Sequence, residues 1–193
     1  MRPTPVPAPD EPAARPLRGL TQQVLQQRLE SALTAADGLA GAHCVHELWM
    51  RGAWPATVEA ALERLWERAA TTVPEWLPMT YVHCLPAVYD VAAGFRAAAS
   101  GRTHLYLVLL DYSDRRGDGQ GIYVGMSRYR AALRFDQHKA GIRAAGAVLK
   151  RGLEVLTGPV LHLQFIARSE AARIESALAQ ALADAGIKVE GGH

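Results

Sequence analysis

Four side chains in the middle of the chain have the types and spacing for proton and phosphate chemistry. Tyr106 and Tyr123 sit in two apolar runs, Leu105–Leu110 and Ile122–Met126, whose Val, Ile and Tyr content is that of strands. Arg134 and His138 follow four residues apart, the spacing of neighbours on one helix face. A guanidinium is a permanently charged planar fork that matches phosphate oxygens, and an imidazole takes or gives a proton near neutral pH. A phenol is a base only once ionised, and an ordinary pKa of about 10 makes that costly unless cations lie close. Further along, Glu175 in SEAARIESALAQAL is a hard oxygen ligand of the kind Mg²⁺ accepts, one or two carboxylates among several waters. Phosphodiester hydrolysis needs an activated water, a cation on the phosphate and stabilisation of the leaving oxygen. These five residues could supply all three. Each also has a plainer reading: a strand Tyr usually packs, and a helical Arg or Glu is usually solvated.

The elements that must position them follow from periodicity. Strands are expected at 103–110 and 121–126, joined by the polar, Gly-bearing stretch Asp111–Gly121, a connection short enough for an antiparallel pair. A helix is expected at 128–140, a second helical segment near 143–153, a third strand at 159–166 and a helix at 169–185, ending in a short tail, Gly186–His193. The expected fold is α/β: a small three-stranded antiparallel sheet flanked by helices, preceded by a mainly helical N-terminal region. In that region the apolar stripe Val24, Leu25, Leu29 and Leu33 predicts a helix from Thr21 to about Ala36, ended by Gly38 and Gly41. Cys44–Met50 reads as another turn or two, Pro55 opens a helix to about Ala70, and one more follows Pro86, closing near Gly101. Residues 1–18, with six prolines, read as a disordered leader. The expected division is therefore 1–18 leader, 19–100 helical region and 102–193 α/β domain. The four tryptophans, Trp49, Trp54, Trp66 and Trp76, are expected in the core of the helical region.

The C-terminal half resembles the GIY-YIG endonucleases on its residues and their order. His104–Tyr106 (HLY) stands for the first tyrosine motif, Tyr123–Gly125 (YVG) for the second, and Arg134–His138 (RFDQH) for the helix motif, with Glu175 on a later helix. The literal letters GIY at Gly121–Tyr123 overlap YVG and belong to the second strand. The chain departs from the family pattern in His104 for the first-motif Gly, in a longer inter-strand loop, in Met126 after YVG, and in having no Asn within Gly186–His193. The resemblance implies a metal-dependent endonuclease acting on DNA, RNA not being excluded. It assigns Tyr123 as base with Tyr106 bonded beside it, Arg134 on the phosphate, His138 in proton transfer or phosphate binding, and Glu175 on Mg²⁺ (or Mn²⁺). Its rival is a GIY-YIG-like module that has lost catalysis and binds nucleic acid or protein.

Composition is compatible with either. Apolar residues make up 49% and charged residues 21%, and the net charge is only +2. That charge is unevenly spread: residues 101–193 hold 13 Lys+Arg against 9 Asp+Glu, so an anionic partner would be met by the C-terminal half. Arg128, Arg130, Lys139 and Arg143 are candidates to follow a phosphate backbone, with a solvated helix face as the alternative. The helical region could supply specificity or a protein partner contact. No apolar run is long enough for a bilayer, no signal-peptide core opens the chain, and two cysteines give no disulfide framework, so a cytoplasmic location and no membrane partner are expected. His43, Cys44, His46, His83 and Cys84 could be weighed as a zinc set, but they lack the usual Cys-x-x-Cys knuckle.

Overall fold

Leu105–Leu110 is buried without a break, so it belongs at the centre of a sheet rather than at its edge. In the computed structural model, which describes residues 15–114 and 119–192, this run lies in β1 (Ser100–Asp111). β2 (Gln120–Ser127) pairs with it antiparallel, as expected, in a register running from His104 opposite Ser127 to Asp111 opposite Gln120. The sheet is larger than expected and mixed. β3 (Gly152–Val155) adds antiparallel to the other side of β1, and β4 (Val189–Gly191) lies parallel to β2, giving the order β3-β1-β2-β4.

Three expectations are corrected here, each for a local reason. The strand expected at 159–166 is instead a 3₁₀ helix, Gly158–Leu163, where Pro159 has no N–H for a ladder; Ile166 adds isolated bridges to Ser100 and Thr103. The helix expected at 143–153 is the shorter α6 (Gly146–Arg151), and the chain beyond it becomes β3. Gly152 starts that strand because a Cβ there would press on the Val148 carbonyl. The tail contains β4: Gly191, at φ +86°, sits opposite Val124, where any side chain would collide with the Val124 carbonyl oxygen.

One face of β1 carries Tyr106, Val108, Leu110 and Tyr112, which pack with Val148, Tyr123 and Phe135. Phe135 comes from α5 (Ala131–Lys139), and α7 (Arg168–Asp184) packs on β1, β2 and β4. Leu105, Leu107 and Leu109 alternate onto the opposite face, where they are fully buried.

The chain divides into two units between Leu77 and Pro78, not at Gly101. Residues beyond Pro78 bond into the second unit: Glu154 accepts from the Met79 N–H at 2.8 Å, and the Gln120 side chain meets His83 and the Tyr81 carbonyl. α4 (Leu85–Ala92), read as part of the helical region, packs on α7 and the 3₁₀ helix.

Among the described residues the first unit holds three α-helices, α1 (Gln22–Ala35), α2 (Gly38–Met50) and α3 (Pro55–Ala69), and a 3₁₀ turn at Ala70–Thr72. Gly38 and Gly41 do not end α1. The turn is made by Ala36 in the left-handed region and Asp37, whose carboxylate caps α2. The two glycines open α2 because Thr72 and Leu65 press against them. Arg15–Arg18, read as leader, is ordered: Leu17 is buried, and Arg15 and Arg51 both reach the buried Glu47 carboxylate, at 2.8 and 2.7 Å. A carboxylate so buried needs that pairing. The leader's residues 1–14 lie outside the described residues. Trp49 and Trp76 are core, but Trp54, which precedes Pro55 and lies off the inward stripe, is 82% exposed. Among the described residues no helix is long and apolar enough to cross a membrane.

Candidate active site

The β1–β2 register decides where the two tyrosines meet. Tyr106 stands opposite Gly125 and Tyr123 opposite Val108, so the phenols share a face as diagonal neighbours, ring centres 6.0 Å apart. The Tyr106 ring lies across Gly125: a Cβ there would come within 2.6 Å of Tyr106 Cζ and 2.7 Å of Tyr123 Cε1. Gly125 is thus a steric condition for the pair.

α5 brings His138, its one buried residue, to the same place, 6.2 Å from the Tyr106 ring and 5.9 Å from the Tyr123 ring. Its two nitrogens have fixed roles. The Ala145 N–H donates to Nδ1 at 2.9 Å, so Nδ1 carries no proton, and the neutral ring must carry it on Nε2. Nε2 lies 2.9 Å from the Tyr106 oxygen and therefore donates to it. Tyr123 lies beside Tyr106 on the same face and pushes the Tyr106 pKa up, while Tyr106 works to lower that of Tyr123. The result is a line of donors, Ala145 N–H to His138 to Tyr106, with the Tyr123 ring packed beside its end.

Burial is the largest influence on all three rings. It raises Tyr106, with the neighbouring Tyr123 adding to the rise and Arg134 opposing it. It raises Tyr123 as well; there the neighbouring Tyr106 and the charge of Arg134 work downward and the charge of the Glu175 carboxylate works upward. It lowers His138 from the ordinary 6.5 to about 4, helped by Arg134, so the ring is neutral at physiological pH. Both phenols are thus held above the ordinary tyrosine value, chiefly by burial.

Glu175 is 6% exposed on α7, among Ala171, Ile174 and Leu178. It is not the surface charge that its neighbours Glu170 and Arg173 suggest. Among the described residues no three His, Cys, Asp or Glu side chains cluster as a metal-holding group. One buried carboxylate beside a phenol fits a hydrated Mg²⁺ or Mn²⁺ and does not fit a closed zinc site. The zinc set has no support either. Burial raises the Cys44 and Cys84 thiols to about 11, and His43 and His46 pack on the Trp76 ring at 5.1 and 5.7 Å.

Arg134 holds the turn after α5, donating to Gln137 Oε1 and to the Ile142 and Arg143 carbonyls at 3.2, 3.2 and 2.8 Å. The other basic candidates are not all alike. Lys139 is committed to the Leu149 and Gly152 carbonyls, and Arg130 is exposed just before α5. Arg128 and Arg143 instead line an open cleft of about 380 Å³ with Thr103, Met126, Ser127, Tyr129 and Arg168. Arg168, at the first turn of α7, was not singled out by sequence. No local signal could have found it, because the cleft gathers four separate segments. Tyr112 was also missed: Arg151 and Lys188 lie over its ring at 4.6 and 3.8 Å, and its hydroxyl donates to Glu190 at 2.9 Å, which ties β4 to β1.

Fold and site together define a class: an α/β unit with a buried His–Tyr hydrogen bond, a second tyrosine on the same face and a buried carboxylate on α7. No family model, no curated protein and no solved structure matches the chain.

Proposed function

We propose that the second unit is a metal-dependent phosphodiester hydrolase, an endonuclease of GIY-YIG type acting on DNA, with the helical unit supplying specificity or a partner contact. The single observation that carries this reading is the His138–Tyr106 hydrogen bond on the face that Tyr106 shares with Tyr123, within reach of the charge of the buried Glu175. Tyr123, having released its own proton to solvent, takes a proton from the attacking water as the water oxygen forms the bond to phosphorus. Tyr106, held by His138, steadies the phenolate by hydrogen bonding, and Arg134 lies near enough to favour it by charge. The guanidinium has five N–H groups, so the turn it supports does not use all its capacity to meet a phosphate. Glu175 would hold Mg²⁺ or Mn²⁺, which supplies Lewis-acid stabilisation of phosphate charge. The bond to the leaving sugar oxygen breaks, and that oxygen takes a proton from solvent.

The test is cleavage of labelled single-stranded, duplex and branched DNA and of RNA with Mg²⁺ or Mn²⁺. Tyr123→Phe and Glu175→Gln are each expected to lower the rate by about 100-fold or more. Equal cutting by wild type and both variants would exclude this site. A second reading, a GIY-YIG-like module that binds without cutting, is favoured by one observation: Arg134 already serves three acceptors of its own chain. Binding with no cutting by wild type on any substrate would select it.

A further inference from the structure

Phe165 and the arginine cleft were left unused by the chemistry above. Phe165 is 61% exposed although aromatic, and it holds a left-handed backbone, φ +56°, that a phenylalanine rarely takes. Two contacts fix it there: the Gly101 N–H donates to its carbonyl at 2.8 Å, and its ring meets the His104 ring at 4.6 Å and 76°. His104 is itself buried and faces Gln164 Oε1 at 3.0 Å, while Gln164 Nε2 donates to the Leu105 and Val160 carbonyls. The ring therefore rests on a rigid support and presents apolar surface to solvent.

The cleft adjoins it through two strand positions. Ile166, the next residue, bridges Thr103 of the lining, and His104, beneath the ring, pairs with Ser127 of the lining. Arg143 and Arg168 have no ion pair with a carboxylate among the described residues, and Arg128 reaches the Tyr129 hydroxyl at 3.4 Å. Among the described residues no acidic side chain lines the cleft. Its positive field is felt by Tyr129, whose pKa is held down by the bond from Arg128 and then by the charges of Arg128, Arg143 and Arg134.

We infer that this corner is a seat for an unpaired nucleotide, with its base stacked on Phe165 and its phosphate among Arg128, Arg143 and Arg168. This rests on the hydrolase reading for its place beside a reacting strand, and it names the substrate class: a nucleic acid with an unstacked base near the cut. A duplex keeps its base faces inside the stack, so an exposed aromatic surface gains nothing from it. A free strand or a splayed junction offers that face, and stacking on an aromatic side chain is tolerant of sequence.

The experiment is fluorescence anisotropy with the full chain in chelator, so that nothing is cut, using labelled oligo-dT, labelled oligo-U and a blunt DNA duplex of equal length. Phe165→Ala is expected to weaken binding of the better single strand by about 10-fold, Phe165→Trp to keep it, and both to leave duplex binding within about twofold. Arg143→Ala and Arg168→Ala are each expected to reduce the slope of log K against log salt for the single strand by about 0.7. Preference for oligo-dT or for oligo-U identifies the sugar, and either supports the seat. No single-strand binding by wild type, no loss in Phe165→Ala, or an equal loss on duplex overturns it. Binding that behaves as expected without cutting in Mg²⁺ would sink the hydrolase reading and leave the seat. Cutting with Phe165→Ala binding unchanged would do the reverse.

Discussion

Gly125 carries no side chain, and the Tyr106 ring fills the space where one would be. A methyl group at that position must displace two aromatic rings that are fixed from other sides, Tyr106 by His138 and Tyr123 by the strand register. Gly125→Ala is therefore expected to cost about 1–3 kcal/mol of stability, the usual scale of overpacking. Its effect on cutting should be larger than its effect on folding, since a shift of about 1 Å in a reacting group can cost about 100-fold. Thermal unfolding and cleavage rate measured on the same preparation check this. A variant as active as wild type would mean that the two phenols need not keep their spacing. The same packing gives Gly125, a residue with no chemistry of its own, a structural reason to follow Tyr123 and Val124.

α5 packs on the sheet through Ala131, Phe135 and the fully buried His138, and the imidazole makes the element sensitive to acid. His138 titrates near 4 in the folded chain against 6.5 ordinarily, because burial and Arg134 disfavour its charged form. Between those values the unfolded chain binds the extra proton and the folded chain does not. Stability is thus complete above about pH 6.5 and falls as pH drops toward 4, by up to roughly 3 kcal/mol from this group. Urea unfolding from pH 7 to 4 should show that fall, and His138→Gln should show less of it; equal slopes would mean that His138 does not carry the proton linkage. His46, buried in α2 and also lowered to about 4, gives the first unit a fall of its own that this variant leaves intact. The elements that hold the candidate site were legible from the sequence: the unbroken apolar run of β1, the R-x-x-x-H spacing of α5, and the apolar stripe around Glu175 on α7. β3 and β4 were not, being four and three residues long, bounded by glycines and held by partners distant in sequence. The cleft was least legible of all. Residues 103, 126–129, 143 and 168 come together only once the sheet register and the start of α7 are known.

At the scale of the whole molecule the question is where the second unit begins. Composition pointed to Gly101, because the helical pattern ends there and the strand pattern starts. The packing points to Pro78, because α4 buries Leu85, Val88 and Ala92 and packs within the second unit, on α7 and the 3₁₀ helix. Three further ties run the same way. Thr80 donates to Glu154 at 2.6 Å, His162 meets the Ala92 carbonyl at 3.1 Å, and the Ala98 and Ala99 N–H groups both bond the Glu170 carboxylate at 2.8 Å. Removing residues up to Gly101 strips α4 and leaves Glu154, His162 and Glu170 without these partners, with the side of α7 and the 3₁₀ helix that α4 covers laid bare. Each fully buried Leu or Val lost is worth about 1.5–3 kcal/mol, and a domain of this size has about 5–15 kcal/mol in total. A chain starting at Pro78 is therefore expected to unfold cooperatively, and one starting at Gly101 to be unfolded or to aggregate. Circular dichroism and thermal melts of the two truncations decide between the boundaries. If the shorter chain melts as sharply as the longer, α4 is an appendage and the strand pattern alone marks the unit. If only the longer one folds, the helix before the sheet is part of the machinery that holds Tyr106, Tyr123 and Glu175 in place.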